Sequence, residues 1–266
     1  MINIDHLAYT SKLKNTDPRQ KMLFALLTMG VCLWADSVVV SILVLLIMGW
    51  ATVCQGGTRF SLFCKLLMVP MSFLILGVVA VAVDFSGNEL IFIYSVALDK
   101  MYLGVTQAGL QNALHLFFKA LGAVACLYYL SLSTPMIDVL AVFRRLKMPK
   151  LLVEMMGLIY RFIFVFLETA DNMVTAQNSR LGYSGLSAGY RSLAALMSTL
   201  FIRAYKRADE LYTALEARGY DGELNVVEET SPPYKWTGFL QTVGLNGLLV
   251  IFVLWMKEYG GGVVFW

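Results

Sequence analysis

Apolar residues gather in runs too long for the core of a small soluble domain. Residues 22–35 and 37–53 form two such runs, separated only by Ala35-Asp36-Ser37, which predicts a tight helical hairpin. Residues 63–83 form a third, with Pro70 inside it. A proline there removes one backbone donor, so a kink is expected, with the freed carbonyl satisfied by a neighbouring helix. The stretch from Asp84 to Asn88 ends that run. A fourth extends over 110–132, carrying His115 and Lys119 near its start, and a fifth over 237–256. Crossing a bilayer takes about 20 mostly apolar residues. The pattern therefore predicts about five transmembrane helices, or six if the 89–110 stretch adds a short span instead of lying in the interface.

Between the fourth and fifth runs the pattern changes to an amphipathic one. Ser133-Thr134-Pro135 reads as a helix start, with a hydroxyl cap and a proline in the first turn, and the helix ends in Arg144, Arg145 and Lys147. After Pro149, Leu152, Met155, Met156, Ile159, Phe162, Ile163, Phe166, Ala170 and Met173 recur at spacings of three and four, and Arg161 comes too early for a good span. A third helix places Leu193, Leu196, Leu200, Ala204, Ala208, Leu211 and Leu215 on one face, with Arg203, Lys206, Arg207, Asp209 and Glu210 mainly on the other. These helices carry more apolar face than a small core of their own could bury. They are expected to pack on one another, on the spanning bundle and on a partner.

Composition agrees with the pattern. Of 266 residues, 58% are hydrophobic and 15% charged, and the mean hydropathy is +0.68. A soluble domain carries roughly 25% charged residues, so this chain reads as an integral membrane protein. Lys12, Lys14, Arg19 and Lys21 crowd the chain ahead of the first run, and twelve of the 21 basic residues fall between Thr134 and Lys235. By the positive-inside rule, both regions are expected to be cytoplasmic in a multi-pass protein of the cell membrane. The first run starts only at Met22, with no small-x-small cleavage site after it, and reads as a retained helix. Two histidines and four scattered cysteines show no C-x-x-C or H-x-x-x-H spacing, so neither a structural zinc site nor a disulfide framework is expected.

The most informative feature is an internal echo. Arg180-Leu181-Gly182-Tyr183-Ser184-Gly185 and Arg218-Gly219-Tyr220-Asp221-Gly222 each follow a long amphipathic helix, and the first copy has one residue inserted. Glycine past the last turn can take the left-handed conformation that closes a helix, and an arginine in that turn complements the dipole. Taken singly, each reads as an ordinary cap with a solvated arginine. A cap has no need of the Tyr-x-Gly that follows, and a doubled tip implies a doubled receptor. The planar guanidinium fork suits a carboxylate-bearing groove. The expected partner is a homodimer or a heterodimer of similar subunits.

These residues resemble a known family. Ala217-Arg218-Gly219 is similar to the Ala-Arg-Gly coupling motif of the transmembrane (T) component of energy-coupling factor (ECF) transporters, and Ser179-Arg180-Leu181-Gly182 looks like its companion, though it departs from the compact Ala-Arg-Gly or Ala-Arg-Ser form. The resemblance extends to Ile4-Asp5 with Ala8, Asp17-Pro18-Arg19 with Lys21, Leu132-Ser133-Thr134-Pro135, Arg145-Leu146-Lys147-Met148-Pro149 and Tyr160-Arg161-Phe162. The N-terminal patterns look most like the cobalt and nickel branch. The resemblance implies a scaffold linking two cytoplasmic ATP-binding cassette ATPase subunits to a separate substrate-binding membrane subunit. Arg180 and Arg218 would be the anchors on the ATPase pair, with Ala217 and Gly219 allowing close approach.

Other classes fit less well. An autonomous channel or secondary transporter would place ionisable groups within the membrane, but Lys65, Asp84, His115 and Lys119 fall mostly near predicted span ends, where snorkelling accounts for them. A membrane enzyme would need a nucleophile or carboxylates with a base, and Asp209-Glu210 and Glu228-Glu229 accompany no histidine. No G-x-x-x-x-G-K-[ST] loop occurs, so ATP hydrolysis belongs to a partner and no cofactor or metal site is expected in this chain. Met68 with Met71 and Met155 with Met156 read as packing. Eleven acidic residues nearly match the basic ones of the cytoplasmic region, against a nucleic-acid partner. The chain thus reads as an all-α polytopic membrane protein: N-terminal transmembrane helices over 1–133, cytoplasmic coupling helices over 134–235 and a C-terminal transmembrane helix over 236–266.

Overall fold

The computed structural model describes residues 4–35, 37–86, 92–98, 101–222 and 236–259. These form two compact units, one made of the described residues up to Val139 with 236–259 and the other of those from Leu140 to Gly222.

The first unit is a helical membrane bundle. Its helices are α1 (Ile4–Thr10), α2 (Pro18–Ala35), α3 (Val38–Trp50), α4 (Phe60–Ala82), α5 (Gln107–Ser133) and α9 (Trp236–Tyr259), together with the first turn of α6 (Met136–Arg145). Among the described residues, four segments are long and apolar enough to cross a membrane: Val38–Gln55, Phe60–Ala82, Gly109–Ser133 and Gly238–Met256. The run at 22–35 lies in α2, whose first turn, Pro18 to Lys21, is polar. That leaves less apolar length than the other four have.

Helix α5 is the centre of the bundle, with α1, α2, α3 and α4 all packed on it. Ala125 and Cys126 of α5, Cys32 of α2, and Val40, Val44 and Met48 of α3 are wholly buried together. Small residues let the backbones approach, as is usual between helices in lipid. A Cβ on Gly122 would stand 2.9 Å from the Cys32 sulfur and 3.1 Å from the Ser41 carbonyl oxygen. Phe24 meets Tyr129 edge to face, with ring centroids 5.4 Å apart.

Pro70 lies inside α4 and donates no hydrogen bond to the Leu66 carbonyl one turn earlier. The hydroxyl of Tyr128 on α5 donates to that carbonyl instead, at 3.1 Å. Met68, Val69, Phe73 and Leu76 of α4 are exposed, the arrangement expected of a helix with one side on the bundle and the rest toward lipid.

A small antiparallel sheet interrupts the helices between α4 and α5. Its strands β1 (Val83–Ser86), β2 (Phe92–Leu98) and β3 (Met101–Thr106) run in the order β1-β3-β2, pairing Val83 with Val105 and Leu98 with Met101. The described part of the 89–110 stretch is therefore extended up to Thr106, whose hydroxyl caps α5 by accepting from the Gly109 amide at 3.0 Å. No sixth span lies there among the described residues.

Candidate functional site

The second unit is built from the rest of α6, α7 (Lys150–Ser179) and α8 (Leu186–Glu216). Its buried apolar side chains, among the described residues, are Leu140, Val142, Val153 and Leu196. Four such residues are few for two helices of this length. Ile159 and Ile163 of α7 and Tyr190, Met197, Phe201 and Tyr205 of α8 are exposed, in keeping with the excess apolar face expected from the sequence. Between the two long helices lies a groove of about 860 Å³, walled by Ile159, Phe162 and Phe166 on one side and Leu200, Ala204 and Leu211 on the other.

All three helices of this unit end in the same way. The carbonyl of Phe143 accepts from the Met148 amide at 3.3 Å, that of Gln177 from Gly182 at 2.8 Å, and that of Leu215 from Tyr220 at 3.0 Å. In each case the residue before the donor holds a left-handed conformation: Lys147 at φ 60°, Leu181 at φ 56° and Gly219 at φ 74°. This is the Schellman closure, which occupies carbonyls that would otherwise have no helical partner. Aligned by these hydrogen bonds, Arg180 coincides with Arg218, Leu181 with Gly219, and Gly182 with Tyr220. The corresponding residue of α6 is Leu146.

That register corrects one expectation. At the first tip the left-handed residue is Leu181, and Gly182 serves a different purpose. A Cβ on Gly182 would lie 2.7 Å from the Ser192 hydroxyl and 2.9 Å from the Gln177 carbonyl oxygen, so glycine is needed there for close approach. At the second tip Gly219 is needed for its backbone angle, because a Cβ on it would meet nothing within 4 Å.

The predicted site residues thus gather at the two ends of α8. Ser179 closes α7, its hydroxyl donating to the Thr175 carbonyl at 3.0 Å, and is followed by Arg180, Leu181 and Gly182. Ala217, Arg218 and Gly219 follow the last residue of α8. Both arginines are exposed and, among the described residues, neither is in an ion pair. With 31 residues between the two tips, α8 sets them about 46 Å apart at a rise of about 1.5 Å per residue.

The first tip has a brace that sequence inspection missed. The Tyr183 hydroxyl donates to the Gln177 side-chain oxygen at 2.8 Å, the Gln177 amide donates to the Ser192 carbonyl at 3.0 Å, and the Ser192 hydroxyl donates to the Gly182 carbonyl at 2.8 Å. A glutamine and a serine fifteen positions apart give no signal until the hairpin folds. No group of three or more His, Cys, Asp or Glu side chains comes together as a metal site among the described residues.

The cobalt transport protein (CbiQ) family model matches residues 10–229, most of the chain. The chain belongs to that family. It is 32% identical over 257 residues to uncharacterized protein MJ1089 of Methanocaldococcus jannaschii, covering 96% of this chain and 94% of that one. It is 29% identical over 228 residues to cobalt transport protein CbiQ of Salmonella typhimurium, covering 85% and 100% respectively. It is 32% identical over 165 residues to the energy-coupling factor transporter transmembrane protein EcfT of Staphylococcus aureus, covering 58% and 60%. The four apolar helices and these relatives make the chain a membrane component of an ECF-type transporter.

Proposed function

We propose that this chain is the coupling subunit of an ATP-driven importer, joining two cytoplasmic ATPase subunits to a substrate-binding membrane subunit for cobalt or nickel ions. The supporting observation is the matched pair of tips: two helix ends with the same closure, each presenting an exposed arginine at the same position, held apart by one long helix. Under this reading the N-terminus and residues 134–235 are cytoplasmic, and the guanidinia of Arg180 and Arg218 dock with carboxylates in two grooves of the ATPase pair. Closure of that pair on ATP moves α7 and α8, and the bundle passes the displacement to the substrate subunit. The cobalt named in the family and in the Salmonella relative motivates the choice of ion.

The test is affinity purification of the detergent-solubilised chain from its native membrane, wild type beside an Arg180→Ala, Arg218→Ala double variant, with mass spectrometry of what co-purifies. Two ATPase copies, or a related pair, with wild type alone is the expected outcome. No ATPase with the wild type, even after mild crosslinking, would leave the tips as plain caps and favour an autonomous transporter.

A further inference from the structure

Lys21 stands in the first turn of α2, and sequence position alone makes it one more cation ahead of an apolar run. It is instead 2% exposed. Its ammonium donates to the Ser133 carbonyl at 2.8 Å and to the Leu13 carbonyl at 3.2 Å. Ser133 is the last residue of α5, and Leu13 lies in the short 3₁₀ turn Lys12–Asn15. Carbonyls at a helix C-terminus lack helical partners and carry partial negative charge, so one cation satisfies both needs.

The surroundings are closed and polar. Asp17, also 2% exposed, accepts from the Arg19 amide at 2.9 Å through Oδ1, while its Oδ2 is buried without a hydrogen-bond partner. Asp17 and Asp138, in the first turn of α6, supply negative charge to the ammonium. The buried hydroxyls of Ser133 and Thr134 lie 3.3 Å apart. Just upstream, the Ser11 hydroxyl and the Lys12 amide both donate to the Gly56 carbonyl, each at 3.1 Å, beyond the π-helical turn that ends α3. Residues 11–21 are thereby stitched to the ends of α3 and α5.

Burial pushes the ammonium down to about 8 from its ordinary 10.5, even against the pull of Asp138 and Asp17. A charge kept at that cost is a poor source of stability, since apolar replacements of buried ion pairs are often neutral or better. What the ammonium does supply is fixed geometry at one place. Only Thr134 and Pro135 separate α5 from α6. Thr134 is extended, at φ −130° and ψ 113°, the region that a following proline favours. Its amide donates to the Leu130 carbonyl at 3.0 Å, so the joint has one backbone tie and Lys21 adds the side-chain one.

We propose that Lys21 is a positioning residue that locks the α5–α6 elbow, so that movement of α6 is carried into α5 and the N-terminal segment instead of being absorbed by rotation at Thr134. The lock is a property of the bundle; its use in transport rests on the coupling function proposed above.

Two measurements separate these. Spin labels at the exposed positions Leu127 and Ile137, on the full chain in detergent with Cys54 and Cys64 replaced by serine, report the elbow directly. One narrow distance distribution in the wild type and a broadened one in Lys21→Met is expected. Equal widths overturn the lock, whatever the chain couples to. The second measurement is cobalt taken up per ATP hydrolysed by the complete complex in proteoliposomes. Lys21→Met should still bind ATPase and hydrolyse ATP, with uptake per ATP reduced about tenfold, the scale of a lost hydrogen bond to a charged group. An unchanged ratio overturns the role in transport, and absence of ATPase from the wild-type complex overturns the coupling function alone. If Lys21→Met is not recovered from the membrane, Lys21→Gln, which keeps a polar side chain but removes the ammonium and shortens its reach to the Ser133 carbonyl, is read by the same labels. A broadened distribution supports the lock, and an unchanged one overturns it.

Discussion

At the end of α7, Leu181 holds the left-handed position at φ 56°, with Gly182, Tyr183, Gln177 and Ser192 braced around it. At the end of α8, Gly219 holds the same position at φ 74° and open space surrounds it. The hydrogen bonds that close the two ends are the same, and so is the place of the arginine. The closure therefore fixes where each arginine starts, while the neighbours decide how rigidly it is held. The first tip is built into a hairpin, with α8 returning alongside it. The second is an end with glycine as its hinge.

If the two tips are equivalent anchors, Arg180→Ala and Arg218→Ala should each weaken ATPase capture about 10- to 100-fold, the range for a hydrogen bond to a charged group. Titrating ATPase onto each detergent-solubilised variant gives the two losses. Unequal losses would show that the brace matters to docking, with the rigid tip the stronger anchor because less freedom is lost on binding. Next in size is Gly182→Ala. The added methyl would press on the Ser192 hydroxyl and the Gln177 carbonyl, and overpacking of this kind costs about 1–3 kcal/mol. Hydrogen exchange should quicken at the α7 end and stay unchanged at the α8 end. Faster exchange at both ends would mean that the tips do not behave as separate structures.

The tips were legible as helix ends because arginine and glycine at a C-terminus have a mechanism attached, and the spans because a bilayer imposes length. The kink partner of Pro70 was foreseen in kind; that it is Tyr128 depends on the packing of α5 against α4. Besides the brace at the first tip, three features were not legible. The strand Phe92–Leu98 is a short apolar run, and periodicity alone does not separate such a run from a piece of helix. Lys21 reads as a surface cation because its acceptor on Ser133 is 112 positions away. Leu181 does not show itself as the left-handed residue because glycine usually takes that conformation and Gly182 stands next to it.

Exchanging the left-handed residues probes the difference at its finest. Gly219→Leu should destabilise the α8 end by about 1–2 kcal/mol, since a Cβ there has room but the backbone angle disfavours it. Protection of the Tyr220 amide, which closes that end, is the readout.

Leu181→Gly should act in the opposite direction and by less. Relief of the left-handed strain, about 1–2 kcal/mol, is partly offset by the roughly 0.5–1 kcal/mol that glycine loses in chain entropy. A small gain in protection of the Gly182 amide is expected. At 75% exposure the leucine has little packing within the chain to lose, so any fall in ATPase capture by this variant would be a lost contact with the partner. A firmer tip that binds ATPase less well would show that the first anchor docks through an apolar contact beside its guanidinium. A firmer tip that binds equally well would show that both anchors work through arginine alone, and that the leucine is tolerated there because the brace holds the backbone in place.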